Sequence, residues 1–145
     1  MANVLFNITM GTGLALSIDK NNPEPGSQLL LEQARADDPD QQWTWVFMPS
    51  TQAAALYNVG RNLFAAPRSV DEGAPIVLWK PDMPINGGTT WQVLQADKAA
   101  VRPPANTDLN LNALGNSWPI GTKVALWGWS GGDANEVWTS RIVAT

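Results

Sequence analysis

The side chains that most often carry out catalysis or bind metal ions are missing from this sequence. Its 145 residues include no His and no Cys. Ser-His-Asp triads, Cys-His dyads and the usual zinc sites all require one or both of these residue types. The 13 acidic residues leave open a pair of carboxyl groups, the arrangement that hydrolyses glycosidic bonds. Most other hydrolase chemistry is excluded.

The charge and the apolar pattern bear on possible partners. The formal net charge is −4 at pH 7, which would repel a phosphate backbone. No apolar run is long enough to cross a bilayer, so we expect neither a nucleic-acid partner nor membrane insertion. The first residues, Met1 to Phe6, lack the basic and long apolar regions of a secretory signal. With no Cys present, this start predicts a cytoplasmic protein, and secretion by an unconventional route stays open.

Three copies of one pattern run along the chain. Each copy has Gly, two further residues, an apolar residue, any residue and then Leu, and the copies begin at Gly26, Gly73 and Gly121. A Trp ends each unit, at positions 43, 91 and 138. Both landmarks recur every 47 or 48 residues, so they define one period. We therefore predict a single domain over residues 1–145, with repeats of about 1–50, 51–98 and 99–145.

The apolar residues within each unit alternate, as strands with one buried face require. Leu109 and Leu111 show this period of two, and Val124 and Leu126 show it again. The best helix candidate, residues 51–59, also fits the first strand of the second repeat, and we favour the strand. About four strands in each of three repeats predict an all-β fold: a closed barrel with threefold pseudosymmetry and a cap of hairpins.

The Trp that ends each repeat has a structural role that needs no ligand. Three large rings converging on the threefold axis would fill one layer of the barrel. Burial of about 200 Å² per ring, at about 25 cal/mol per Å², would contribute several kcal/mol each. We therefore predict that Trp43, Trp91 and Trp138 are core residues.

The segments Gln41-Gln42-Trp43, Thr89-Thr90-Trp91 and Glu136-Val137-Trp138 resemble the Gln-x-Trp signature of ricin-type β-trefoil lectins. The first copy matches the signature strictly, and the repeat extends the resemblance over the whole chain. The absence of Cys is similar to the small, cysteine-free fungal members of this family. The resemblance implies a β-trefoil fold and carbohydrate binding without catalysis, cofactor or metal.

The resemblance also implies the position of a sugar site. In this family a galactose-type sugar is held by a carboxylate on an early strand, an aromatic ring after the apolar-x-Leu element, and an Asn-Gln pair before the core Trp. In the third repeat these positions correspond to Asn110, Trp127, Asn135 and Glu136. Asn110 replaces the usual Asp and Glu136 the usual Gln, so one carboxylate remains. Planar acids and amides suit vicinal hydroxyls, and the ring suits the apolar C–H face of a pyranose.

The other two repeats match the family pattern less completely. The second repeat keeps a ring in Trp79, but Phe64 replaces the acid and Gly88 the Asn, which leaves Asn86 as the nearest polar candidate. In the first repeat, Asp40 and Gln41 form the polar pair. Ala15 and Glu32 replace the acid and the ring there, so we expect weak binding or none.

Other roles for these residues stay open at this point. Trp79 and Trp127 could simply cover the flank of the barrel, and Asn135 could belong to a turn. Asp37, Asp38 and Asp40 are most simply interpreted as a solvated turn. Two further rings flank the third-repeat site in sequence, Trp118 and Trp129, and either extend a sugar cleft or pack against a second subunit.

The resemblance favours a non-catalytic lectin for glycans and glycoproteins that contain galactose or GalNAc. Because a single open site should bind a monosaccharide weakly, useful binding would need several sites, and we expect a homodimer. A β-trefoil protease inhibitor that acts through its loops is the alternative, since fold alone does not determine function. A glycosidase would need two suitably spaced carboxyl groups.

Overall fold

The computed structural model describes residues 4–48, 53–82, 88–93 and 99–144. It is an all-β structure with 46% strand and 2% helix. Among the described residues the strands are β1 (Leu5–Met10), β2 (Ala15–Ser17), β3 (Leu30–Glu32), β4 (Trp43–Met48), β5 (Ala53–Asn58), β6 (Leu63–Pro67), β7 (Ile76–Trp79), β8 (Gln92–Val93), β9 (Val101–Arg102), β10 (Leu109–Ala113), β11 (Val124–Gly128) and β12 (Trp138–Ala144). A 3-10 helix, Pro39–Gln41, precedes β4. No helix in these ranges is long and apolar enough to cross a membrane.

Antiparallel pairing organises the described strands. β1 with β12, β4 with β5 and β8 with β9 form the barrel, and β1 also pairs with β4. β2 with β3, β6 with β7 and β10 with β11 form three hairpins at one end of it.

β5 covers most of the segment whose sequence suits both a helix and a strand, so the strand prediction is confirmed there. Ala53, Ala55, Leu56 and Asn58 of this strand are buried, while Ala54 and Tyr57 are partly exposed.

The motif glycines close the cap by the same contact three times. The N–H of each donates to the carbonyl of the Leu that ends the pattern in the next repeat: Gly26 to Leu78, Gly73 to Leu126 and Gly121 to Leu31, at 2.6, 2.8 and 2.8 Å. Their φ angles of 92°, 85° and 90° lie in the region that other residues rarely adopt. This explains why Gly begins each copy of the pattern.

The three repeated Trp residues form the centre of the core, as predicted. Trp43, Trp91 and Trp138 are 0%, 1% and 2% exposed. Each indole Nε1 donates to a buried backbone carbonyl, at 2.9 to 3.0 Å. A buried Trp needs a partner for its N–H, and these bonds supply it from the hairpin of the same repeat. The threefold pattern therefore holds in packing and in hydrogen bonding.

The hairpin of β10 and β11 separates apolar and polar side chains onto two faces. Leu109, Leu111 and Ala113 belong to the core cluster, as do Val124 and Leu126 on the facing strand. The alternate positions carry Asn110, Asn112 and Trp127, which therefore share the other face of the hairpin, where the two asparagines are buried and Trp127 is exposed. This face and the loops around it form the candidate site.

Candidate functional site

A cavity of about 340 Å³ lies at the loop end of the third-repeat hairpin. The end of β10 contributes Asn112, the loop between β10 and β11 contributes Trp118, and β11 contributes Trp127. The turn before β12 contributes Asp133 and Asn135. The cavity is therefore bounded by two indole rings and a small set of polar groups, a lining suited to a small polar ligand with an apolar face.

Trp127 is the most exposed large ring of the site. It is 47% exposed although it lies within a strand. On one side it lies beside the turn of the second repeat, where a Cβ added at Gly73 would be 3.7 Å from its Cζ3. The barrel flank thus covers part of the ring, and nearly half of its surface remains open to a ligand.

Asn112 gives the cavity an unsatisfied amide. Its side chain is buried, at 1% exposure, and neither Nδ2 nor Oδ1 has a hydrogen-bond partner among the described residues. An unpaired buried polar group costs about 1–3 kcal/mol, so nearly all such groups are paired with protein, water or ligand. Because Asn112 is among the residues that line the cavity, this buried, unpaired amide lies in its wall.

Asn110, the predicted strand residue of the site, does not line the cavity. It is fully buried, and its Nδ2 donates to the carbonyl of Leu111 at 3.3 Å. In the strand register Asn110 is opposite Trp127, whereas Asn112 is opposite Ala125 and lies two residues nearer to the loop. The cavity is at the loop end, so Asn112 lines it and Asn110 does not, and a role of Asn110 in sugar binding stays a prediction.

Asn135 lies at the cavity as predicted and also fixes the turn. Its Nδ2 donates to the carbonyl of Ala113 at 3.1 Å, and its own carbonyl accepts from the N–H of Ala113 at 3.0 Å. These two contacts join the turn before β12 to the end of β10. Asn135 therefore belongs both to the turn and to the wall of the cavity.

Glu136 has a different role from the one predicted for it. Its carboxylate is 1% exposed and is not among the described groups that line the cavity. Its oxygens accept from the N–H of Ser130 at 2.9 and 3.0 Å and from the N–H of Gly132 at 2.8 Å. Glu136 thus holds the turn that forms one wall, and its lone pairs face the backbone rather than a ligand.

The polar pair of the first repeat is also committed to the protein. Gln41 accepts from the N–H of Arg35 and donates to the carbonyl of Gln33, both at 2.8 Å. Asp40 accepts from Arg61 Nε and from Lys20 Nζ, both at 2.9 Å. The expectation of weak or absent sugar binding fits these contacts, although no measurement tests it. A cavity of about 420 Å³ beside them is lined by charged and amide side chains, with no ring among the described lining residues.

The acidic segment of the first repeat is not a solvated turn. Asp38 and Asp40 are buried, and Lys20 Nζ contacts both, at 2.7 Å and 2.9 Å, while Asp37 is exposed. Burial by itself raises the pKa of Asp40, but hydrogen bonds from Arg61 and Lys20 outweigh it and hold the pKa below its ordinary value. Burial lowers the pKa of Lys20, and its bonds to the two carboxylates raise it overall. This cluster is an ion-pair network between the first two repeats.

The second repeat carries a row of rings in place of a polar site. Trp79 is half-buried and lies 5.7 Å from Phe64, ring centre to ring centre, and Phe64 lies 4.9 Å from Tyr57. These residues are direct neighbours across β5, β6 and β7. Trp79 therefore covers the flank of the barrel at least in part. The other candidate of this repeat, Asn86, lies outside the described residues.

The two rings whose role was open have separate positions. Trp118 lines the cavity, which is the position that an extended sugar cleft would require. Trp129 is 43% exposed, and the guanidinium carbon of Arg102 lies 5.3 Å from its ring centre. A Cβ added at Gly132 would be 3.5 Å from Cζ2 of Trp129, so this ring covers the turn. Both rings are close to the third-repeat site in sequence. The structure shows that Trp118 lines the cavity and that Trp129 covers the turn.

The sequence has no match among models of protein families, and no curated protein matches it. Solved structures match it closely in fold. The designed threefold-symmetric protein ThreeFoil has a TM-score of 0.80 at 17% identity, over 94% of this chain and 97% of that one. The Macrolepiota procera ricin B-like lectin, solved with lactose, has a TM-score of 0.79 at 17% identity, over 98% and 97%.

The C-terminal half of the earthworm R-type lectin, solved with GalNAc, has a TM-score of 0.67 at 18% identity, over 95% of this chain and 99% of that one. Identities this low establish the fold, and the fold prediction is confirmed: the chain is a β-trefoil. A shared fold does not determine what the site binds, which depends on the residues of the site.

Proposed function

We propose that this protein is a non-catalytic lectin that binds galactose- or GalNAc-containing glycans in the third-repeat cavity. The observation that carries the proposal is the buried, unpartnered amide of Asn112 in the same cavity as the half-exposed ring of Trp127. The lectins of similar fold that were solved with lactose and with GalNAc support the choice of ligand class.

The chemistry of a pyranose matches these two groups. Vicinal hydroxyls both donate and accept, and the amide of Asn112 offers one donor group and one acceptor. The apolar C–H face of the sugar packs against an indole. In galactose the axial hydroxyl leaves a continuous C–H patch on one face, which glucose lacks. A ring such as Trp127 therefore favours galactose-like sugars by shape.

The acidic groups near the cavity support binding rather than hydrolysis. A glycosidase needs two carboxyl groups, one to protonate the leaving oxygen and one to act as a base or nucleophile. Of the described residues that line the cavity, Asp133 is the acid, while Glu136 uses its oxygens on backbone N–H groups. No cluster of three or more acidic side chains that could hold a metal occurs within the described ranges.

Calorimetric titration with lactose tests this proposal, with two asparagines of β10 as a matched pair. A few hydrogen bonds and one stacked ring predict a dissociation constant of about 0.1–1 mM for wild type. We expect Asn112→Ala to weaken binding at least about fivefold, because it removes bonds worth about 0.5–1.5 kcal/mol each.

Asn110→Ala is the control, because it changes the same residue type on the same strand face but outside the cavity. It should leave the affinity for lactose unchanged. Equal loss in both variants, or none in either, contradicts the assignment of the site. Absence of binding to any galactoside, together with inhibition of trypsin or papain, would favour the inhibitor alternative.

A further inference from the structure

The loop between β10 and β11 places a second indole at the cavity. Trp118 is partly buried against the core and lines the same cavity as Trp127. The two rings come from different elements, since Trp127 lies within β11 and Trp118 lies in the loop before it. The cavity therefore has two aromatic contacts, whereas the resemblance implied one.

The backbone at Trp118 adopts an unfavourable conformation. Its φ is 43°, and that of Ser117 is 64°. Positive φ is uncommon for residues other than Gly and is a clear outlier for a bulky side chain. The following residue is Pro119, and a residue before proline prefers an extended conformation. The backbone preference of these residues therefore opposes the observed position of the ring, and side-chain contacts within the loop and with the core must maintain it.

Specific contacts hold this loop in place. Trp118 Nε1 donates to the carbonyl of Gly115 at 2.9 Å. The N–H and the hydroxyl of Thr122 both donate to the carbonyl of Pro119, at 3.0 and 2.6 Å. Because the indole N–H of Trp118 is already bonded within the loop, the ring can offer a ligand an apolar surface but no hydrogen bond.

We propose that Trp118 forms a second subsite, so that the cavity binds the two terminal sugars of a glycan rather than one. This inference rests on the function proposed above. A pyranose that bonds to Asn112 and packs on Trp127 has its apolar C–H patch against Trp127. The ring of Trp118, elsewhere in the cavity, can therefore pack only against a second sugar ring. Trp118 then contacts the penultimate sugar and determines which linkages are accepted.

The test compares calorimetric affinities for lactose and for methyl β-galactoside. Wild type should bind the disaccharide about threefold to tenfold more tightly, which is the contribution of one further ring contact. Trp118→Ala should reduce that ratio to about one while the affinity for the methyl glycoside stays the same. Trp118→Phe keeps an apolar ring and should restore part of the ratio. Trp127→Ala should weaken both ligands.

The outcomes separate this inference from the proposed function. If both ligands bind wild type equally, or if Trp118→Ala weakens them by the same factor, Trp118 is only a structural residue of the loop and the inference is wrong. If neither ligand binds wild type, the proposed galactoside function itself is wrong. Thermal melting of each variant shows whether the fold persists, and the affinity ratio does not depend on the fraction of folded protein.

Discussion

Trp127 and Trp129 lie two residues apart and are similarly exposed, but they differ in what they contact. Trp127 borders the cavity, whereas Trp129 lies over the turn and beside Arg102. We predict that Trp127→Ala weakens lactose binding at least about tenfold, because a stacked ring and its buried area are lost. Trp129→Ala should change the affinity less than about twofold. Calorimetry on both variants, with melting curves, measures this.

The opposite result would show that the site is placed wrongly. If Trp127→Ala melts much earlier than wild type yet binds lactose normally, Trp127 is a covering residue of the barrel flank. If Trp129→Ala loses the affinity instead, the sugar lies on the outer surface of the turn.

Glu136 shows how a signature residue can act through the backbone. Its oxygens accept from Ser130 and Gly132, so a side chain with an NH₂ group in place of one oxygen cannot satisfy all three bonds. We predict that Glu136→Gln destabilises the protein by about 1–3 kcal/mol, the cost of leaving a buried donor unpaired. The exposed substitution Glu24→Gln is the control and should be neutral. Urea unfolding of both variants checks this, and equal stability would contradict the role assigned to Glu136.

The residue types of the site could be predicted from sequence more readily than their exact positions. The alternation along β10 puts Asn110 and Asn112 on the face opposite the core leucines, but it does not show how far the cavity extends along that face. The resemblance therefore points to Asn110, whereas Asn112 lines the cavity. The role of Glu136 depends on which N–H groups of the preceding turn point towards its carboxylate, and the sequence pattern does not show this.

At the scale of elements, the strands and their order follow from the sequence pattern, while the contacts of loops do not. Gly26, Gly73 and Gly121 recur because the cap needs positive φ at each, and such repeated constraints leave a visible pattern. The ion-pair network of the first two repeats involves Lys20 and Arg61, which are 20 and 21 residues from Asp40. Nothing in the local sequence distinguishes such a carboxylate from one in a solvated turn.

This network gives the protein a pH-dependent contribution to stability. The pKa of Asp40 is lowered in the folded protein, so its contribution is fully present above the ordinary pKa of about 4 and is lost as the pH falls through the lowered value. Because its partners Lys20 and Arg61 are about half exposed, we expect only about 1–3 kcal/mol.

The variant Asp40→Asn should therefore be less stable than wild type at pH 7, and the difference should shrink as the pH approaches 2. Urea unfolding at pH 7, 4 and 2.5 measures this. A difference that stays constant over this range would mean that the charge of Asp40 does not contribute, and that the amide variant disturbs packing instead. The exposed Asp37→Asn variant should match wild type throughout.

At the scale of the whole molecule, the backbone has threefold pseudosymmetry, but the side chains at the corresponding positions of the three repeats differ. The described residues provide an aromatic and polar cavity in the third repeat, an ion-paired cluster in the first and a row of rings in the second. A molecule with one working site cannot crosslink cells. If the protein agglutinates cells, it must therefore present two sites by forming a dimer, which would raise the avidity by about 10²–10⁴.

We predict agglutination of cells that carry terminal galactose or GalNAc, inhibition by free lactose or GalNAc, and a sedimentation coefficient of a dimer. EDTA should have no effect, because the proposed site uses amides and rings rather than a cage of 6–8 oxygens. Loss of agglutination in EDTA that Ca²⁺ restores would contradict the metal-free account. Agglutination by a protein that sediments as a monomer would mean that a second repeat also binds sugar.

The most direct test of the central claim is a crystal structure of the protein with lactose. The account predicts galactose in the third-repeat cavity, with its C–H face against Trp127. Its hydroxyls should lie within about 3 Å of Nδ2 and Oδ1 of Asn112. The glucose ring should lie against Trp118. Lactose bound in the first-repeat cavity, or a third-repeat cavity that holds only water at saturating lactose, would contradict it.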